Sequence, residues 1–144
     1  IGSSFLPSEI MAAFLWAQLE VLDDIQSQRR EIWQKYYQGL QSLRGKVTLP
    51  KIPDYAENNG HLFYLICENK EQRTELIKYL KSQEISAVFH YQSLHSSPYY
   101  KGKHDGRGLP NSEIYSECLV RLPFYYGLNG EDQNRVVHEI SSFL

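Results

Sequence analysis

The run from Pro7 to Leu43 is the longest helical pattern in the chain, and every other segment has to pack around it. Between Ser8 and Gln38 there is neither proline nor glycine. Strong helix formers (Ala, Leu, Glu, Gln, Arg, Met) dominate the span. Pro7 suits the first helical position, where its missing N–H costs nothing, and Glu9 puts negative charge in the first turn. Leu15, Leu19, Leu22, Ile25, Ile32, Tyr36, Leu40 and Leu43 recur at helical spacing, with one lapse at Arg29. The pattern predicts one long helix ended by Arg44-Gly45, with Gly45 in the left-handed position past the helix end. The two halves differ in character. Arg29, Arg30, Glu31, Gln34 and Lys35 give the second half an ordinary polar face, whereas Ile10 to Leu19 is apolar nearly all the way round. A helix that is greasy on every side must be covered on every side. The first half is therefore expected to be buried in something larger, and the chain to be part of a larger protein. Ile1, in place of an initiating Met, fits an excised domain.

A chain of 144 residues suffices for one domain with a real core. Its formal net charge of −2 gives no basic excess to hold nucleic acid. Ile10 to Leu19 is too short for a membrane span, and the start lacks the charged region and cleavage site of a signal peptide. Cys67 and Cys118 stand alone, without CxxC or metal spacing. Reduced thiols in a cytoplasmic protein are the favoured reading, with a single disulfide between them as the alternative.

Beyond the helix, Val47 to Pro53 carries two prolines and reads as an extended connector or edge segment. His61 to Cys67 is an apolar, aromatic run expected to form a buried strand, and Ile85 to Tyr91 is the second strand, running into a loop from Gln92. Lys70 to Ser82, with Leu76, Ile77 and Leu80 among charges, is a surface helix between them, so the order suggests a crossover unit. Ser96 to Pro110 is a long loop rich in Ser, Gly and Pro. A short helix capped by Asn111 or Ser112 runs to Cys118, and Leu119 to Tyr125 is a third strand that Pro123 assigns to an edge. Asn129 caps a last helix with Val136, Val137, Ile140, Phe143 and Leu144 facing inward. The fold class is α/β, a small α+β sandwich hung on a long helix, with residues 1–45 as loop and helix and residues 46–144 as the small domain.

Phe89-His90-Tyr91-Gln92-Ser93-Leu94-His95 is the most suggestive cluster, because it lies where a strand leaves the sheet. Two imidazoles, a phenol and an amide supply donors and acceptors for a hydroxylated, charged ligand. Plain structural hydrogen bonding is the competing role for both histidines. A metal is not indicated, since no carboxylate or thiol sits beside them in sequence. His61 opens the first strand beside Asn58 and Asn59, where it also suits a purely structural role. Arg121 is a cation in an otherwise apolar strand: it either captures a carboxylate or phosphate or sits in a structural ion pair. No lysine has the setting of a buried nucleophile. The residues describe a place to bind something and no catalytic engine.

Gly2-Ser3-Ser4-Phe5-Leu6-Pro7-Ser8-Glu9, Ala12-Ala13, Gln18-Leu19-Glu20, Arg29-Arg30 and Tyr36 occur in the order found at the start of the C-terminal part of the DegT/DnrJ/EryC1/StrS sugar aminotransferases. His61-Leu62-Phe63, the His-Tyr-x-x-x-His of His90 to His95, and Arg121-Leu122-Pro123 follow in order. The chain resembles that family over essentially its whole length, most closely the branch that makes dTDP-4-amino-4,6-dideoxygalactose. The resemblance implies a fold-type I, pyridoxal-phosphate (PLP) enzyme that moves an amino group from glutamate to a dTDP-4-keto sugar in a homodimer. It implies that the Schiff-base lysine lies upstream, so this stretch alone would be inactive, and that the upstream domain covers Ile10 to Leu19. His90, Tyr91, His95, His61 and Arg121 become candidate substrate contacts, and Ser4 a candidate cofactor-phosphate contact. At Leu6 the family's usual arginine is missing. Two other readings compete: a non-catalytic small-molecule-binding module, and a PLP-dependent sugar dehydratase of the same family.

Overall fold

The computed structural model describes residues 6–144, so Ser4 lies outside the described residues. The expected long helix is divided in two. Helix α1 spans Glu9–Leu19 and α2 spans Leu22–Gly39. At the break Val21 adopts φ −117° and ψ 19°, and its N–H reaches Gln18 O, three residues back, at 3.4 Å. The causes are local and tertiary. Val21 is β-branched, and Asp23 and Asp24 suit a helix's first turn better than its interior. Among the described residues nothing covers α1 to hold it in line, for it has no buried residue. Ile10, Met11, Phe14, Leu15, Trp16 and Leu19 are each at least half exposed. Ser8, rather than Pro7, opens α1, its hydroxyl oxygen accepting from Met11 N at 3.4 Å.

The remaining elements are β1 (Tyr64–Ile66), α3 (Lys70–Ser82), β2 (Val88–Phe89), α4 (Pro110–Cys118), β3 (Leu119–Arg121) and α5 (Gly130–Phe143). The sheet order is β1-β3-β2, with both pairings antiparallel. Strands β1 and β2 therefore run parallel, joined through α3, with β3 inserted between them. This corrects the edge placement of the third strand. Pro123 lies beyond the last paired residue, Leu122, whose N–H donates to Phe63 O at 3.0 Å, so its missing donor costs the ladder nothing. The exposed edge is β2. On the other side Thr48 exchanges hydrogen bonds of 2.9 and 3.0 Å with Ile66, making the proline-flanked connector an edge segment as expected. Helix α4 takes Pro110 as its first residue, so Asn111 and Ser112 lie inside it rather than at its cap. Asn129 caps α5 by accepting from Asp132 N at 2.8 Å, and Gly45 has φ +95°, both as expected.

One core joins these elements. Leu65 and Val120, paired across β1 and β3, are fully buried with Leu76, Leu80 and Ile140 of the overlying helices. Tyr36 and Trp33 of α2 place their rings 5.3 Å from that of Phe63. The Tyr36 hydroxyl donates to Pro123 O at 3.0 Å. Buried Gln133 of α5 donates to Ile32 O at 2.6 Å, and Gly39 lets the same two helices close up, since a Cβ there would stand 3.1 Å from Val137. Cys67 and Cys118 face each other across β1 and β3, with Cys67 N donating to Cys118 O at 2.9 Å, and both thiols are free and buried. Burial, and secondarily Cys118, pushes the Cys67 thiol up to about 12, while burial, and secondarily Glu117, raises that of Cys118.

Tyr36→Phe strips the Pro123 carbonyl of its donor inside the core and is expected to cost about 1–3 kcal/mol in urea unfolding. Because the folded chain keeps the Cys67 proton above the ordinary thiol value of 9.0, stability is expected to fall as pH rises from about 9 toward about 12. Cys67→Ala should flatten the onset of that decline between about pH 9 and 10, before the tyrosines titrate.

Candidate functional site

The segment leaving β2 is stapled to α4 by one buried serine. Ser93 N donates to Ser116 Oγ at 3.2 Å, Ser93 Oγ donates to Ser112 O at 3.1 Å, and Ser93 O accepts from Ser96 Oγ at 2.9 Å. Ser93 is buried, so its backbone groups must be satisfied, and neighbouring serines do so. This staple sets the display of His90, Tyr91 and His95. The His90 and Tyr91 rings lie 4.6 Å apart, Tyr91 is largely exposed, and His90 Nδ1 is buried without a partner among the described residues. His95 sits on a short 3-10 helix, with Nε2 3.3 Å from Glu113 Oε1 of α4 and its ring 5.3 Å from that of His104. His104 Nδ1 accepts from Gly106 N at 3.1 Å, which brings the Gly-rich loop into the cluster.

His61 is held elsewhere, by backbone. Asn58 and Asn59 side chains accept from Gly60 N and His61 N at 2.9 and 3.0 Å. Arg29 then donates Nε to Gly60 O at 2.9 Å and Nη2 to His61 O, while its guanidinium lies 4.9 Å from the Phe124 ring centroid. The lapse in the apolar stripe of α2 is thus a clamp on the loop before β1. Gly60, at φ +57°, has no room for a side chain, since a Cβ would meet the Arg29 backbone at 2.9 Å. The His61 imidazole is exposed, and among the described residues it has no hydrogen bond or ring pairing with His90, Tyr91 or His95.

Arg121 lies on the central strand, opposite Tyr64 of β1 and Val88 of β2, so these three share one face of the sheet. It is half-buried and has no hydrogen-bond or ion-pair partner among the described residues. Burial, and secondarily Tyr115, raises the neighbouring Tyr64 phenol above its usual range, keeping it a neutral donor. Every lysine is exposed among the described residues. Among the described residues no three His, Cys, Asp or Glu side chains are grouped to hold a metal.

Sequence reasoning missed a polar cleft of about 510 Å³ beside the Ser93 staple. Its walls are Lys70 and Arg73 of α3, Phe89 of β2, Gln92, Ser96, and Ser116 and Glu117 of α4. The advance signals were Phe89 and Gln92, both within the Phe89 to His95 cluster. Lys70 and Arg73 read in sequence as ordinary surface charges of an amphipathic helix. Ser93→Ala keeps the two backbone bonds and removes only the Oγ bond to Ser112, so it is expected to raise hydrogen-exchange rates across residues 90–96 about two- to tenfold, the equivalent of about 0.5–1.4 kcal/mol of local stability, while α5 is unchanged.

The model of the DegT/DnrJ/EryC1/StrS aminotransferase family matches residues 1–141. Among solved structures, DesV of S. venezuelae is 28% identical with a TM-score of 0.83 over 92% of this chain and 35% of its own. The putative sugar aminotransferase Spr1654 of Streptococcus pneumoniae, in its PLP form, is 21% identical with a TM-score of 0.84 over 94% and 35%. PseC of Helicobacter pylori, an aminotransferase involved in pseudoaminic acid biosynthesis, is 21% identical with a TM-score of 0.87 over 99% and 39%. The last two establish the shared fold alone. The chain spans a little over a third of the length of these structures. With the family model matched along nearly the whole sequence, the chain belongs to the DegT/DnrJ/EryC1/StrS aminotransferase family.

Proposed function

We propose that this chain is the C-terminal part of a PLP-dependent transaminase that moves an amino group from glutamate to a dTDP-4-keto-6-deoxy sugar, close to the dTDP-4-amino-4,6-dideoxygalactose transaminases of enterobacterial common antigen and lipopolysaccharide assembly. The observation that carries this reading is the family match over residues 1–141. The uncovered apolar surface of α1 supports the rest: a helix with Phe14, Leu15 and Trp16 in water is a contact surface for a missing domain. In this reading residues 1–45 connect the large domain to a small domain formed by residues 46–144. The full-length enzyme is a cytoplasmic homodimer, and no described helix is long and apolar enough to cross a membrane.

PLP, bound by the large domain, supplies the electron sink for proton transfer at carbon. The small domain's residues bind and orient. His90, with its unpartnered Nδ1, Tyr91 and His95 offer hydrogen bonds to sugar hydroxyls from the stapled segment. His61, fixed by the Arg29 clamp, contacts the same substrate from the loop before β1. Arg121 and the neutral Tyr64 phenol meet an anionic group on the open sheet face, and Ser4 donates to the cofactor phosphate.

The visible absorption of the full-length protein with PLP is the direct test. A cofactor band bleached by glutamate and restored by a dTDP-4-keto-6-deoxy sugar is the expected result. A band that glutamate leaves untouched would assign the enzyme to the dehydratase branch, and absence of a band with PLP supplied would leave a binding module. Arg121→Gln is expected to raise one substrate's KM about ten- to a hundredfold with kcat little changed, the loss of one charge-assisted hydrogen bond.

A further inference from the structure

The cleft beside the Ser93 staple is lined by several donor groups that have no partner among the described residues, and by one weakly paired lysine. Strands β1 and β2 run parallel, and the cleft opens at their shared carboxyl end, between the first turns of α3 and the last turn of α4. Arg73 is set rigidly: its Nε donates to Glu117 O at 2.8 Å and its guanidinium carbon stands 5.5 Å from the Phe89 ring centroid. That fixes the plane of the group while both Nη atoms remain without a partner among the described residues. Ser116 Oγ accepts from Ser93 N, which leaves its hydroxyl proton to donate. The Gln92 amide has no partner among the described residues and is exposed to the cleft. Lys70 Nζ is 3.2 Å from Glu117 Oε1, but both side chains are more than half exposed, so that pair is weak and exchangeable.

We propose that this cleft is a binding site for a phosphate group carried on a small organic molecule. A guanidinium fork, an ammonium, an amide and a hydroxyl converging on one space match the several acceptor oxygens of a phosphate. The volume is that of a small-molecule site, larger than a bare anion needs, and Phe89 gives it one apolar wall. Glu117 is the internal competitor. When phosphate takes Lys70, the Glu117 carboxylate swings into solvent. The phosphate belongs either to the sugar nucleotide substrate or to a separate phosphorylated metabolite, and kinetics separate the two.

The test uses the full-length protein loaded with PLP, so that the cofactor's own phosphate site is filled, and reads inorganic phosphate and pyrophosphate binding by calorimetry. Glu117→Gln removes the competitor and is expected to tighten binding about two- to fivefold, while Gln92→Glu adds a carboxylate and weakens it by a similar factor. Lys70→Gln weakens it as well. Opposite signs from exposed neighbours cannot come from misfolding. If the holoenzyme binds neither probe, or the three variants bind both like the parent, the proposal fails. A parallel change in the KM of the sugar nucleotide would assign the phosphate to the substrate. An unchanged KM alongside altered pyrophosphate binding would assign it to a second metabolite. Because the calorimetry needs no turnover, failure of the transaminase reading and failure of this site are separately visible.

Discussion

Tyr36 is the contact on which the rest of the molecule depends. Its ring lies against Phe63 at the entry to β1, and its hydroxyl bonds the carbonyl of Pro123 just past β3. One fully buried side chain thereby fixes helix α2 against two neighbouring strands. Burial drives its phenol well above the usual range, so the hydroxyl stays a donor throughout the physiological range. Gln133 makes the complementary link from α5 to Ile32, and the two polar anchors set the helix pair over the sheet. In an apolar core such groups discriminate among packings, because a shifted arrangement leaves a buried donor or acceptor unpaired.

The same anchoring decides where ligands can be met. With α2, α3 and α5 packed over Leu65 and Val120, the opposite face of the sheet carries Tyr64 and Arg121, the latter half-buried and without a partner among the described residues. At the carboxyl end of the parallel strands the His90 to Ser96 segment turns away from β2, and Ser93 ties it to α4. The face with Arg121 and the turning segment both derive from the insertion of β3 between β1 and β2.

Helix α1 stands apart from this economy. Its apolar residues cover nothing in the described chain, and it separates from α2 at Val21 once no neighbour holds it in line. Local preference, seen in Asp23 and Asp24 at the first turn of α2, decides the geometry where packing is silent. A covering domain would stabilise the α1 surface by tertiary contact that propensity cannot supply.

Much was legible from the residues alone. The bounds of α3 and α5, the cap at Asn129, the left-handed Gly45 and the three strands all follow from periodicity and local chemistry, which act over a few neighbouring residues. The order of landmarks from Gly2 to Pro123 also carried the family. Position in the sheet was not legible, because Pro123 marks a strand's end as readily as an edge, and only the pairing of β3 with both neighbours decides between them. The role of Arg29 was equally hidden, since a lapse in an apolar stripe does not say that a loop from residues 60 and 61 lies across it. The cleft of Lys70, Arg73, Gln92 and Ser116 joins residues far apart in the chain, each ordinary where it stands. Sequence determined the elements through local forces; the tertiary structure alone decided which side chains share a surface, because that depends on contacts between distant segments.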